Sequence, residues 1–139
     1  MPIPPDDVVL NKGAIIERSI RRLREEYAAD PTLQNFTHID ALTLNLERAC
    51  QAAIDMAMHL VASHHLGMPQ SSADAFRVLA QAGLISQESC RAMMAMTGFR
   101  NIAIHAYQEM NMDILKKIVT EEWQSLVVFA RECGLVLKP

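Results

Sequence analysis

Glycine and proline are scarce in the middle of this chain. Only five glycines occur in 139 residues, and none of the six prolines lies between Pro69 and Pro139. Because these two residues mark turns, their scarcity argues against a turn-rich β-protein and favours long helices. Long apolar runs are also missing, since no run of consecutive apolar residues approaches the ~18 residues that a membrane span needs. The segment from Met1 to Asp7 carries prolines and acids, so it does not resemble a signal peptide.

Cysteine and excess charge are equally limited. Cys50, Cys90 and Cys133 stand far apart, and no Cys-x-x-Cys pair occurs. An odd number of cysteines cannot pair fully within one chain, so we expect reduced, mostly buried thiols in a cytoplasmic protein. The formal net charge is −3. It gives no electrostatic reason for broad nucleic-acid binding, which would have to depend on a local basic patch.

Helical periodicity of apolar residues runs through nearly the whole chain. A length of 139 residues suits one domain with one core. The apolar spacing predicts helices over residues 9–27, 37–65, 72–83, 87–108 and 114–133. The second of these carries two adjacent apolar stripes, so we expect it to pack on two sides. We therefore predict an all-α fold, an up-and-down bundle of four long helices and one short helix, in a single domain over residues 1–139.

Motifs of several enzyme classes do not occur in the sequence. There is no Glu-x-x-His or His-Glu-x-x-His for a metal site, no glycine-rich phosphate loop and no Gly-x-Ser-x-Gly. His64 and His65 are adjacent, so on a helix they would point about 100° apart and chelate poorly. We interpret them as an exposed helix end. We accordingly predict neither a bound metal nor a cofactor.

Two charged surfaces each allow two interpretations. The basic cluster is either a solvated helix face or a phosphate-contacting face. It comprises Lys12, Arg18, Arg21, Arg22 and Arg24. On the second helix, polar residues recur every four positions, which is typical of a salt-bridged surface. They are Glu47, Gln51, Asp55 and His59.

The segment 99–107, Phe-Arg-Asn-Ile-Ala-Ile-His-Ala-Tyr, concentrates chemistry-bearing side chains. At about 100° per residue, Arg100 and Tyr107 share one ridge of a helix, and Asn101 and His105 share the neighbouring ridge. Arg100 and His105 diverge by about 140°. A distorted helix, or the same helix of a second subunit, would be needed to bring Arg100 and His105 together.

These groups suit phosphodiester cleavage without a metal. A histidine can take a proton from a 2′-hydroxyl or give one to the leaving oxygen. A guanidinium can bind two phosphate oxygens and stabilise the charge of the transition state. A tyrosine can stack on a base or donate to phosphate. A buried Arg/His/Tyr cluster at a dimer interface is an equally good interpretation of the residues alone.

The same segment resembles the signature of the HEPN superfamily, and in particular of the HepT toxins of bacterial toxin–antitoxin pairs. That signature is Arg-x4-His-x-Tyr with a polar residue after the arginine, and Arg100, Asn101, His105 and Tyr107 match it. The stretch 46–57, the Phe-x-x-Leu at 76–79, Gly83 and the end of the last helix are also similar. The resemblance covers nearly the whole chain.

The resemblance implies a metal-independent endoribonuclease that acts on RNA, such as tRNA or mRNA, as a homodimer. It would be the toxin of a type II or type VII-like toxin–antitoxin system. Arg100 and His105 would be catalytic, and Asn101 and Tyr107 would support them. Residues elsewhere would support the site or contact RNA, namely Glu47, Asp55, Arg18, Arg21 and Arg22.

The partner implied by the resemblance is a minimal nucleotidyltransferase antitoxin that adenylylates Tyr107. Tyr107 could instead simply pack in an interface. The alternative function is a non-catalytic helical subunit that binds such a nucleotidyltransferase.

Overall fold

The computed structural model describes residues 4–105 and 112–139, with the backbone alone for residues 101–105. Its helices are α1 (Asp7–Ala29), α2 (Phe36–Ser63), α3 (Ser72–Gln81), α4 (Gln87–His105), α5 (Met112–Lys117) and α6 (Gln124–Glu132). A π-helical turn, Ile118–Glu122, lies between α5 and α6. No strand occurs in these described ranges. The predicted all-α fold is confirmed, while the single domain over 1–139 stays a prediction.

Helices α1 and α2 form an antiparallel hairpin whose ends are fixed by side chains. The Asp6 carboxylate accepts a hydrogen bond from the Val9 N–H at 3.0 Å and caps α1. In the turn, the Asp30 carboxylate accepts from the N–H groups of Gln34 (3.2 Å) and Asn35 (2.8 Å). The Asn35 side chain then caps α2. Each carboxylate or amide oxygen satisfies donors that a helix start leaves free.

The core is centred on α2, which contacts α1, α3, α4 and α6. The prediction that this helix packs on two sides is therefore confirmed. The apolar stripes of α1 and α2 supply fully buried side chains. These include Ile16, Ile20, Leu23, Leu42, Leu46, Met56 and Leu60. Such burial contributes on the order of 1.5–3 kcal/mol per large side chain.

The end of α2 differs from the prediction. The helix was expected to reach residue 65 and to stop at Gly67 and Pro69, but it ends at Ser63. His65 adopts the left-handed conformation with φ 54°. The Leu66 N–H then donates to the Val61 carbonyl at 3.0 Å, which closes the last turn. His64 and His65 are exposed, as we expected.

The last predicted helix, 114–133, is not continuous. The Trp123 N–H donates to the Ile118 carbonyl at 2.9 Å, five residues back, which defines the π-helical turn. One turn earlier, the Thr120 hydroxyl donates to the Lys116 carbonyl at 2.8 Å. Such back-bonding by threonine often bends helices. The region predicted as one helix is thus helical but divided by the π-helical turn into α5 and α6.

The segment after α6 lies along α1. Gly13 faces Leu135 so closely that a Cβ built on Gly13 would stand 2.4 Å from the Leu135 Cδ1. Farther along α1, Arg21 donates to the Lys138 carbonyl at 3.0 Å, and Arg24 donates to a backbone oxygen of Pro139 at 3.2 Å. The segment 134–139 is thus held against α1 by packing at one end and by arginines at the other.

Candidate active site

Helix α4 presents the predicted catalytic segment. Ser86 caps it, since the Ser86 Oγ accepts from the Ser89 N–H at 3.0 Å. Its inward positions, spaced by three residues, are Cys90, Met93, Met96 and Phe99. These buried side chains fix the rotation of α4 about its axis. They thereby determine where the next residue, Arg100, is directed.

Arg100 is half-buried and lies near Cys50 of α2. Burial raises the pKa of the Cys50 thiol to about 12; the Arg100 charge opposes that shift and the Glu47 charge adds to it. The Arg100 charge is therefore felt at Cys50, at the contact between α2 and α4. Cys50 remains a neutral thiol at pH 7, so it is not a nucleophile.

A different face of α4 is open and carries small residues. Ala95 and Gly98 are exposed, and a Cβ built on Gly98 would meet no atom within 4 Å. Position 105 follows Gly98 by seven residues, or about two turns, so the helical backbone brings it to this same face. Since α4 stays helical through residue 105, the expected divergence of about 140° between positions 100 and 105 holds within one chain.

Three of the predicted site residues lie partly or wholly outside the described residues. For Asn101 and His105 the backbone alone is described, as part of α4. Tyr107 lies outside the described ranges altogether. Arg100 is the one member of the motif whose surroundings the structure defines.

The two acids proposed to support the site occupy different environments. Glu47 borders a shallow cavity of about 290 Å³ with Asp40 and Thr43. The Thr43 hydroxyl is buried there without a hydrogen-bond partner. Asp55, two turns farther along α2, instead pairs with Lys12 of α1 at 3.4 Å. Asp55 therefore belongs to the helix hairpin and not to the surroundings of Arg100.

The rest of the polar ridge on α2 also serves the hairpin. Gln51 donates to Asp55 at 2.9 Å, and His59 lies 2.6 Å from the Asp6 carboxylate. The interpretation of this ridge as a salt-bridged surface is thus confirmed for its Asp55 and His59 end. Glu47, at its other end, takes part in none of these contacts.

The arginines of α1 lie on its exposed side. Arg21 lies 3.6 Å from Glu17, and Arg22 lies 3.8 Å from Glu25. Arg18 is exposed as well. None of these contacts connects the basic cluster with Arg100.

One contact of the basic cluster could not be predicted from the sequence. The guanidinium carbon of Arg24 lies 4.5 Å from the centre of the Trp123 ring, a cation–π contact. Trp123 is half-exposed. No local pattern indicates such a pair, since its members are almost a hundred residues apart.

Three further findings concern the described residues as a whole. No group of three or more His, Cys, Asp or Glu side chains among them could hold a metal ion. No helix in those ranges is long and apolar enough to cross a membrane. The three cysteines are buried and free, as expected.

An all-helical bundle with the sequence motif Arg-x4-His-x-Tyr, which begins on its fourth helix, has the organisation of a HEPN domain. The family model described as Ribonuclease HepT-like matches residues 16–133. An mRNA nuclease HepT of Shewanella oneidensis is 42% identical over 125 residues, which cover 89% of this chain and 94% of the relative. The chain belongs to the ribonuclease HepT-like family.

Solved structures agree with this assignment. One is a tri-AMPylated Shewanella oneidensis HEPN toxin in complex with MNT antitoxin. It has a TM-score of 0.89 and 40% identity and covers 94% of this chain and 98% of that one. A crystal structure of a toxin–antitoxin with AMP-PNP has a TM-score of 0.88 and 39% identity over 93% and 99%. The resemblance to HepT toxins is therefore confirmed, and so is the predicted class, an endoribonuclease of the toxin–antitoxin kind.

Proposed function

We propose that this protein is a cytoplasmic ribonuclease toxin that cleaves RNA without a metal ion, with Arg100 and His105 as its catalytic residues. The observation that carries the proposal is the Arg-x4-His-x-Tyr motif in the sequence, with Arg100 half-buried on α4 beside Cys50 of α2. The 42% identity to an mRNA nuclease supports RNA as the substrate.

Each residue has a role that suits its chemistry. The Arg100 guanidinium binds the phosphate and stabilises the negative charge that develops on it. Glu47 of α2, whose charge also reaches Cys50, supports the site. His105 accepts the proton of the 2′-hydroxyl. The protonated His105 then returns a proton to the leaving oxygen. Asn101, next to Arg100, orients the site.

The active unit is a homodimer. Within one chain, Arg100 is directed toward α2, and position 105 shares the open face of Ala95 and Gly98. Small exposed residues allow the backbone of a second α4 to approach closely. A two-fold axis at this face would complete each site with Arg100 of one subunit and His105 of the partner subunit.

Cleavage of total RNA in EDTA tests the catalytic assignment. We expect the native protein to leave a 2′,3′-cyclic phosphate, or the 3′-phosphate derived from it. His105→Ala should lower the rate on the order of 10²–10⁴-fold, because it removes a general acid–base group. His64→Ala, which changes an exposed histidine at the end of α2, is the matched control and should leave the rate unchanged.

Mixing the His105→Ala and Arg100→Ala proteins extends the same experiment. Heterodimers would contain one intact composite site, so activity should partly return. A requirement for added magnesium, or cleavage that survives His105→Ala, would contradict the assignment. Verified heterodimers without any recovery would contradict the composite site.

A minimal nucleotidyltransferase is the partner that this proposal requires, and Tyr107 is its target. The similar Shewanella oneidensis toxin is tri-AMPylated and lies in complex with an MNT antitoxin. On a regular helix Tyr107 shares a ridge with Arg100, so an added phosphodiester there would compete with RNA for the guanidinium. We infer that the modification blocks substrate binding and leaves the fold intact.

Intact-mass measurement after co-expression with the nucleotidyltransferase tests this control. We expect one or more added AMP groups that map to Tyr107 and are absent from Tyr107→Phe. If the same partner fully neutralises Tyr107→Phe without any mass change, the partner acts by occlusion. The alternative, a non-catalytic binding subunit, would show complex formation but no cleavage by the free chain.

A further inference from the structure

A cleft separate from the Arg100 region lies between α1 and the π-helical turn. Its volume is about 860 Å³, and its lining includes Arg21, Arg24, Tyr27 and Trp123. Two arginines and two aromatic rings in one open cleft are the side chains that proteins use to bind single-stranded nucleic acid. The catalytic proposal assigns no role to Trp123 or Arg24.

The π-helical turn connects this cleft with the helix that bears Arg100. Ile118, at the start of the turn, shares a groove with Phe99, the residue before Arg100. Val119 and Thr120, the next two residues, line the cleft of Trp123. Turns of this kind are frequent at functional sites, since they shift the side chains that follow. The cleft and the predicted catalytic helix thus lie on two sides of one turn.

The arginine donors in the cleft already bind oxygen atoms of the segment 134–139. Arg21 donates to the Lys138 carbonyl at 3.0 Å, and Arg24 donates to a backbone oxygen of Pro139 at 3.2 Å. A phosphate oxygen carries a charge that the Lys138 carbonyl lacks, so it accepts a stronger hydrogen bond from the Arg21 guanidinium. Glu25 also lines the cleft, and its charge is offset by Arg22 at 3.8 Å.

We propose that this cleft binds a single-stranded part of the RNA substrate beside the cleavage position. A base stacks on the Arg24–Trp123 pair, because guanidinium planes and aromatic rings both serve as stacking surfaces. Arg21 contacts the adjoining phosphate in place of the Lys138 carbonyl. The choice of RNA as ligand rests on the proposed function, and the cleft gives this acidic protein a local means of capturing it.

Trp123 is the only tryptophan in the chain, so its fluorescence reports on this cleft alone. The experiment titrates a short single-stranded oligoribonucleotide into full-length His105→Ala protein in EDTA, where the RNA stays intact. We expect saturable quenching that weakens as salt is raised, since phosphate contacts release counterions. Anisotropy of a labelled copy of the same RNA measures total binding.

Four variants of the His105→Ala protein separate stacking from charge. Trp123→Ala should weaken binding roughly 5- to 150-fold, the range for loss of one base–aromatic stack. Trp123→Phe keeps a ring and should recover most of that affinity. Glu25→Gln removes the acid of the cleft and should tighten binding. Arg77→Ala is the matched control, since Arg77 lies on α3 and pairs with Asp74, and it should change nothing.

If anisotropy shows that RNA binds but the Trp123 fluorescence does not change, the inference is wrong. It is also wrong if Trp123→Ala protein keeps its helical circular dichroism and binds as tightly as its parent. If the nucleotidyltransferase changes the fluorescence and RNA does not, the cleft is a protein interface and the proposal is wrong.

Different results would refute RNA binding in the cleft and the proposed ribonuclease function. If the native protein cleaves RNA but RNA does not change the Trp123 fluorescence, the ribonuclease function is supported and RNA binding in the cleft is refuted. Quenching by RNA without any cleavage by the native protein would support the cleft and refute the function.

Discussion

The two halves of this bundle are built differently. Helices α1 and α2 are 23 and 28 residues long and regular throughout. One salt bridge, Lys12–Asp55 at 3.4 Å, and two histidine–carboxylate hydrogen bonds, His59–Asp6 at 2.6 Å and His38–Glu26 at 2.5 Å, join them. The second half begins with the 19-residue α4 and continues with a six-residue helix, a π-helical turn and a nine-residue helix. Arg100 and Trp123 belong to this second half.

The two halves therefore differ in role, since the hairpin stabilises the fold and the second half carries the half-exposed side chains of Arg100 and Trp123. Long stripes of buried side chains make the hairpin a scaffold, while α4 and the turn before α6 leave positions 98, 100 and 123 partly open. Stability is unevenly distributed in proteins, and binding segments come from its lower end. We therefore expect the second half to open more readily than the hairpin.

The largest effect that tests this comparison comes from two matched leucines. Leu46 on α2 and Leu115 on α5 are both fully buried. Leu46→Ala should lower the free energy of unfolding by about 3–5 kcal/mol, because a cavity in the centre of the core cannot collapse. Leu115→Ala should cost less, about 2–3 kcal/mol, since the short α5 can move into the void.

Urea denaturation of the two variants, followed by circular dichroism, provides the measurement. Equal costs would show that α5 is held as firmly as α2. In that case the contrast between the two halves would be confined to their helix lengths.

Apolar spacing predicted the hairpin because it directly reflects burial. The stripe containing Ile16, Ile20 and Leu23 is buried on α1, and the two stripes of the next helix do contact two sides of the bundle. The π-helical turn could not be predicted from apolar spacing, because one shifted hydrogen bond at Trp123 barely changes the apolar pattern. The left-handed His65 was missed for a related reason, because Gly67 was the more obvious end signal.

The site was predictable in its chemistry and less so in its surroundings. Glu47 and Asp55 belong to one ridge of α2, and no local pattern distinguishes them. Tertiary packing separates the two acids, because Lys12 of α1 pairs with Asp55 while Glu47 borders a shallow cavity with Asp40 and Thr43. The contact between Arg24 and Trp123 depends on tertiary structure alone.

A smaller effect is expected at two cysteines, one in each half. Burial raises the pKa of both Cys50 and Cys133 to about 12, so their intrinsic reactivity at pH 8 is similarly low. Differences in labelling then report local opening. We expect Cys133, which follows the short α6, to react at least about tenfold faster than Cys50.

Peptide mass spectrometry after timed exposure to a thiol reagent measures both rates in the same sample. Equal rates, both matching global unfolding, would mean that the α6 end opens no more readily than the hairpin.

The smallest effect concerns Asp6, where the hairpin has its outermost histidine–carboxylate contact. The hydrogen bond with His59, followed by that from the Val9 N–H, lowers the pKa of Asp6 from its ordinary value of 3.8. A lowered folded-state pKa means that the charged form contributes stability above pH 3.8, and this contribution disappears as pH falls through the lowered pKa. Asp6→Asn keeps a helix-capping side chain but removes the charge.

Thermal denaturation of Asp6→Asn and the native protein over a range of pH tests this. The native protein should be slightly more stable at pH 7, and the two curves should converge in acid. A difference that persists unchanged below pH 3 would show that the carboxylate charge is not its origin.

Gly13 couples the two ends of α1 through the segment that lies on it. The hole left by its missing side chain is filled by Leu135, so even one methyl group at position 13 would require Leu135 to move. The same short segment carries the backbone oxygens that Arg21 and Arg24 bind two to three turns away. The space available at Gly13 therefore sets how closely the segment 134–139 packs on α1. That distance in turn determines whether backbone oxygens of the segment bind the arginine donors of the Trp123 cleft.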